Sequence, residues 1–361
     1  MRVYDFGLNW SGTVKEHFVG SLKNFCRKKN FSFLWISNDN VRKIIKRLQK
    51  KEIGIKALLD TEATYNKEGD LYTRVCYAVK DSGGVVISDP DRTKIATDKS
   101  ITHYELEEAG ISTPYSVMVR SWEPNFFKLA DDEKKKLGVP FVIKPAYGYG
   151  QLGVVRDARG SVREIAQARQ YDRGDTFLFQ EKVDPLELRG RRAWFRVFHV
   201  FDTIIPCWWD DRVSLYSHVT AAEFKKYRLL PLVNIVARIA EITRMAWFST
   251  EIAIDKKNRK RRFVAIDYVN DQCDMTAQSE SKGGVPDNIV DYTASTIVNA
   301  AYKLIQGKKI YKSHSVRLKD ATIIPTIGLK AIPEYVRKNL YESPPFKKSH
   351  YFIPVKHSGA I

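Results

Sequence analysis

PFVIKPAYGYGQLGVV, residues 140–155, decides how the chain is read. Gly148, Gly150 and Gly153 fall in the G-x-G-x-x-G spacing of a dinucleotide-binding turn. That turn needs a strand before it and a helix after it, because the helix N-terminus holds the pyrophosphate. Here the glycines run into Gly153-Val154-Val155, which reads as a strand, and Lys144-Pro145 closes the strand before them. The stretch is therefore a strand, a lysine, a glycine-rich loop and a returning strand. Glycine lets the backbone approach closely and take positive φ, so that amides face anionic oxygens. Lys144 adds a point charge at the same end. Such a hairpin folds over phosphates without a helix dipole. No G-x-x-x-x-G-K-[ST] is present, which excludes a P-loop.

Upstream of the hairpin, short apolar runs at 3–8, 31–36, 57–60 and 85–88 are separated by helical spacing at 14–28, 41–48 and 71–80. Strands divided by helices of that length imply a parallel sheet covered on both faces. Downstream, the apolar strand 177–179 ends in Gln180-Glu181-Lys182-Val183, and 194–201 alternates into a strand followed by 203–209. The run STEIAI at 249–254 places Glu251 on an apolar strand. After a basic turn, 263–266 leads into Asp267, Tyr268, Val269 and Asn270. A hairpin of these two strands brings Glu251 and Asp267 onto neighbouring backbones. Buried carboxylates on facing strands need a compensating cation, and Mg²⁺ takes oxygen ligands together with phosphates. Residues 289–304 carry helical apolar spacing and read as core.

Composition agrees with a globular protein: 43% of the 361 residues are hydrophobic and 28% charged, and the length predicts two or three domains. Lys and Arg number 60 against 42 acids, a net charge of +18 that points to anionic partners. No apolar stretch approaches the roughly 20 residues of a membrane helix, and the first residues lack a secretory pattern. Cys26, Cys76, Cys207 and Cys273 are scattered without C-x-x-C spacing, so reduced thiols and a cytoplasmic location are expected rather than zinc or disulfides.

The order of these parts resembles the ATP-grasp family. The resemblance rests on Asp98-Lys99, then Tyr104-Glu105-Leu106 and Ala109-Gly110-Ile111-Ser112-Thr113-Pro114. It continues through Val142-Ile143-Lys144-Pro145, the loop 148–153, Gln180 to Val183, Glu251, and Asp267 to Asn270. It runs from the first strand to about residue 305. The fold it implies is α/β: an N-terminal parallel-sheet (pre-ATP-grasp) domain at 1–95 and two α+β subdomains clasping ATP. The small subdomain with the glycine loop would span 96–185, the large one with the metal site 186–305, and a basic C-terminal extension 306–361.

By position, the resemblance implies that Lys99 and Lys144 contact the ATP phosphates while Gly148, Gly150 and Gly153 close over them. Gln180, Glu181 and Val183 would hold the adenine edge, and Glu187, favoured over Asp184, would meet the ribose. Glu251, Asp267 and Asn270 would hold Mg²⁺. Two departures stand out. The family shows acid-x-Asn, whereas two residues separate Asp267 from Asn270; either a small bulge restores the geometry or Asp271 joins the site instead. Some ligases carry an arginine two residues before the first metal carboxylate, where this chain has Ser249, so that charge must come from elsewhere.

The chemistry implied is activation of a carboxylate by ATP as an acyl phosphate, which an amine attacks. Arg196 and Arg212 are the expected catalytic cations, because guanidinium grips carboxylate and phosphate bidentately. His218, Trp208, Trp209, Asp274 and Gln278 are weighed as lesser substrate contacts. Two other readings exist: an ATP-dependent small-molecule kinase on the same scaffold, and a non-catalytic nucleic-acid-binding protein. Nucleic-acid binders gather their cations on one face of a known module, and here the cations are dispersed along the chain. Small-molecule carboxylates and amines are therefore the expected partners, with no nucleic acid and no membrane.

Overall fold

Apolar residues on both faces of the first strands force helices onto both sides of them. In the computed structural model, which describes residues 1–12, 16–120, 128–148, 150, 152–170, 174–257, 262–308 and 314–323, the chain opens with four such strands. They are β1 (Arg2–Asn9), β2 (Phe33–Ile36), β3 (Ile53–Asp60) and β4 (Val85–Ile87), separated by α1 (Glu16–Lys28), α2 (Val41–Gln49) and α3 (Leu71–Asp81). All pairings are parallel, in the order β2-β1-β3-β4. Leu58 packs with α2 and α3, while Leu59 turns to α1 on the other face. Of the expected first helix, residues 14 and 15 lie outside the described residues.

Next come α4 (Pro90–Ala96), α5 (Lys99–Glu108), β5 (Ser116–Val119), α6 (Asp131–Leu137), β6 (Phe141–Pro145), β7 (Val155–Ala158), α7 (Val162–Arg169) and β8 (Phe177–Gln180). The strands form an antiparallel sheet, β5-β8-β6-β7, over a core that includes Phe141, Ile143, Phe177 and Phe179. β6 and β7 are the two arms of the glycine hairpin, so a strand follows the glycines. On β8, Gln180 stands opposite Ser116 of β5 and Val142 of β6.

The remaining elements are β9 (Glu187–Leu188), β10 (Arg191–Arg192), β11 (Trp194–Val200), β12 (Thr203–Asp210), β13 (Leu215–His218), α8 (Ala221–Lys226), α9 (Leu230–Thr243), β14 (Trp247–Asp255), β15 (Arg262–Asn270), α10 (Asp287–Ile305), β16 (Ser315–Arg317) and β17 (Thr322–Ile323). Their large sheet runs β15-β14-β11-β12-β16-β17, with β13 also on β12. One face packs on α9, and the other on α10, which shares its apolar side with α1. The expected helix at 289–304 is thus the core helix α10.

Antiparallel pairing sets Glu251 of β14 opposite Asp267 of β15 and opposite Arg196 of β11. Ser249 pairs with Asn270, so β15 uses three steps where β14 uses two. That extra residue is a bulge, and the Thr250 hydroxyl donates to the Asp267 carbonyl within it at 2.8 Å. Among the described residues no helix is long and apolar enough to cross a membrane, and the four cysteines are buried and outside any disulfide. Residues 324–361 of the expected C-terminal extension lie outside the described residues.

Candidate active site

A cavity of about 1100 Å³ is walled by residues from the large sheet, the glycine hairpin and the loop after β3. Lys99 enters it as the first residue of α5. Asp98 caps that helix, accepting from the amides of Ser100 at 2.8 Å and Ile101 at 3.2 Å. The Lys99 amide then donates to the Ala146 carbonyl at 3.1 Å, and its ammonium to the Gly148 carbonyl at 3.0 Å. The Asp-Lys pair thus ties the helix start to the glycine loop. A Cβ on Gly148 would lie 2.8 Å from the Pro145 ring, and Gly150 holds φ at +61°, so neither place suits a larger residue.

Lys144 is 8% exposed, donates to the Ile266 carbonyl at 2.8 Å, and lies 5.4 Å from the centre of the Tyr268 ring. Burial, reinforced by the Lys99 charge, lowers the Lys144 ammonium to about 8, although Asp267 and Glu251 oppose the shift. Above about pH 8 the free site therefore loses this proton, whereas a bound triphosphate would retain it. Nucleotide affinity should fall as pH rises through about 8, and binding at about pH 9 should take up a proton. Calorimetry in two buffers of different ionisation enthalpy measures that uptake. No uptake by the native protein would disprove the assignment.

Glu251 is held from both sides. Arg196 Nη2 donates to one carboxylate oxygen at 2.5 Å, and Trp194 Nε1 to the other at 2.9 Å. Arg196 also lies over Trp209, 5.2 Å from the ring centre, and 3.4 Å from the Tyr216 hydroxyl. Burial works against the Arg196 charge, and the adjoining Glu251 more than restores it. The cation that Ser249 cannot provide thus reaches Glu251 from the neighbouring strand.

Asp267 lies 4.0 Å from the Lys99 ammonium, and its Oδ1 is buried without a hydrogen bond. Burial pushes its carboxyl upward, but Lys99, Lys144 and Arg196 outweigh that and hold it below the usual carboxylate range. Through the bulge, Asp267 and Asn270 both line the cavity, and Asp271 lines it too. Burial and then the Asp60 charge raise Asp271 to about 7. Among the described residues no three His, Cys, Asp or Glu side chains are grouped to hold a metal ion. A cation here would rest on two carboxylates, an amide and substrate oxygens. That all-oxygen set, with one buried oxygen lacking a hydrogen bond, fits Mg²⁺.

Gln180, Glu181 and Val183 line the cavity at the end of β8. The Glu181 carboxylate is engaged by the Lys257 ammonium at 2.7 Å. Glu187 is exposed on β9, opposite the cavity residue Arg192, and is not itself among the cavity-lining residues. Arg212 does line the cavity, but its guanidinium is held by Asp210 through contacts of 3.0 and 2.9 Å. Trp209 and Asp274 line the cavity, whereas Trp208 is buried in the core. His218 faces Asn288 at 2.6 Å, and Gln278 donates to the Tyr216 carbonyl. The sequence reading missed Trp194 and the loop residues Tyr65 and Lys67 as cavity walls. Trp194 was within reach, since it shares the Arg196 face of a period-two strand.

No family model matches the chain. Among solved structures, it is similar to the ATP complex of the Bacillus anthracis D-alanine–D-alanine ligase, with 15% identity over 85% of this chain and 99% of that one, at a TM-score of 0.59. A RimK domain ATP-grasp protein from Sphaerobacter thermophilus aligns at 15% identity over 83% and 98%, with a TM-score of 0.56. The macrocyclase MdnC of Microcystis aeruginosa, bound with its precursor peptide, aligns at 11% over 83% and 100%, with a TM-score of 0.53. A curated D-alanine–D-alanine ligase from Coprothermobacter proteolyticus is 29% identical over 101 residues, which is 28% of this chain. The match spans a third, 33%, of that relative's length. The chain has the ATP-grasp fold.

Proposed function

We propose that this protein is an ATP- and Mg²⁺-dependent ligase that joins a carboxylate to an amine through an acyl phosphate. The observation that carries the reading is convergence: Lys99, Lys144, the glycine hairpin, Glu251, Asp267 and Asn270 meet around one cavity although they come from distant parts of the chain. In this reading 1–95 form the N-terminal domain, 96–185 the small subdomain and 186–305 the large one.

A carboxylate is a poor electrophile because its leaving group is oxide. Phosphorylation supplies a better one, and the step asks the protein for positioning and charge neutralisation rather than for a nucleophile. Lys99 and Lys144 hold the triphosphate, and the hairpin across 148–153 covers it and excludes water. Arg196, oriented by Glu251, grips the substrate carboxylate or the phosphoryl group in transit. Glu251, Asp267 and Asn270 would hold Mg²⁺, which would supply charge neutralisation at the phosphates. The amine then approaches from the wall that carries Tyr65, Lys67 and Asp274, displacing phosphate as the amide forms.

Mg-ATP offered with a panel of carboxylic acids, with and without amines, tests the reading. Phosphate release that requires both partners, with an amide product, is the expected result. A stable phosphorylated acid would instead make the protein a kinase, and no acid-dependent turnover at all would remove the enzyme reading.

A further inference from the structure

The buried Tyr268 hydroxyl carries an arrangement that none of these steps uses. It lies 2.6 Å from Nδ1 of His103 and 3.1 Å from Nε2 of Gln180. Nε2 of Gln180 also lies 3.1 Å from the hydroxyl of Ser116, its cross-strand neighbour, and that hydroxyl donates to the Pro114 carbonyl at 3.0 Å. Beyond, His103 Nε2 faces the Glu107 carboxylate at 3.4 Å. His103, Tyr268 and Gln180 are each no more than 2% exposed.

With His103 neutral, counting donors and acceptors along this chain leaves the Gln180 amide one orientation. A carboxylate only accepts, so a neutral His103 donates from Nε2 to Glu107 and accepts at Nδ1. Burial favours that neutral form, Lys144 adds to it, and Glu107 opposes it. Tyr268 spends its hydrogen on His103, so its oxygen accepts from Gln180. Ser116 spends its hydrogen on Pro114 and accepts the other amide hydrogen. Both hydrogens of Gln180 are thereby committed, and Oε1 is what this cavity-lining side chain can offer a ligand. The adjacent Glu181 is not free to compete, being bound to Lys257.

We infer that Tyr268 is a positioning residue that locks the Gln180 amide with its carbonyl toward the nucleotide base, so that the site selects a 6-aminopurine over a 6-oxopurine. The inference rests on the nucleotide-site reading above. A 6-amino group presents hydrogens to that carbonyl, whereas a 6-oxo group presents a second acceptor. Two buried acceptors facing each other repel and go unpaired.

Equilibrium binding of ATP and inosine triphosphate to the full chain tests this directly. The native protein should bind ATP on the order of 10- to 100-fold more tightly. Tyr268→Phe keeps the ring beside Lys144 but removes the acceptor, so the amide can turn, and the preference should shrink by about tenfold, chiefly through tighter inosine triphosphate binding. Ser116→Ala removes the other acceptor and should move the ratio the same way. A ratio taken within one sample is insensitive to a reduced folded fraction, so a merely structural defect would not move it. Equal binding by the native protein, or a ratio unchanged in both variants, overturns the inference alone. Binding of neither nucleotide overturns the nucleotide site, and the inference with it.

Discussion

Asp267→Asn should lower turnover by about a thousandfold while nucleotide affinity, measured without divalent ion, holds or tightens. The substitution keeps the shape and one oxygen of the side chain but removes its charge. That charge faces Lys99, Lys144 and Arg196, which keep the carboxyl ionised. Without it, the anionic part of the proposed metal site is reduced to Glu251, whose oxygens already accept from Arg196 and Trp194. A triphosphate entering the cavity also meets one negative charge fewer, hence the undiminished affinity. Steady-state phosphate release and equilibrium nucleotide binding separate the two effects. Native-like turnover in this variant would remove Asp267 from the chemistry.

The second large effect is expected from Lys144→Met, which retains the buried stem and deletes the ammonium. Charge-assisted hydrogen bonds contribute about 1.5–3 kcal/mol each, so ATP affinity should fall by roughly 10- to 100-fold. The fold should tolerate the change well. A buried ammonium is costly to desolvate, burial lowers its proton affinity, and methionine keeps the length of the stem. The proton uptake expected near pH 9 should vanish in the same variant, and thermal unfolding should stay close to that of the native chain. Unaltered ATP affinity would mean that Lys144 is only a packing residue bound to the Ile266 carbonyl.

What was legible in the sequence was whatever local punctuation encodes. Lys144-Pro145 and the three glycines announce a hairpin rather than a Rossmann turn, and β7 indeed follows them. Alternation on two apolar strands was enough to set Glu251 against Asp267. Asp98 was less transparent, since its role as a helix cap emerges only when Lys99 is seen reaching the Gly148 carbonyl. Arg196 lay on a strand of legible period, but which face turned inward depended on its partners across the sheet. The Glu181–Lys257 pair, and the links from His103 through Tyr268 to Gln180, join residues far apart in sequence. No periodicity records such contacts. Arg212 is the converse case, where a carboxylate two residues away, Asp210, holds the guanidinium.

The additional residue in β15 reaches past this one site. Positions three apart on a regular strand point in opposite directions, yet Asp267 and Asn270 open onto the same cavity. What the proposed metal site needs of these two residues is therefore parity of side, not a fixed count of letters. A search pattern written for one intervening residue steps over this chain, although removing one residue between Asp267 and Asn270 would leave the regular spacing that also keeps both on one side.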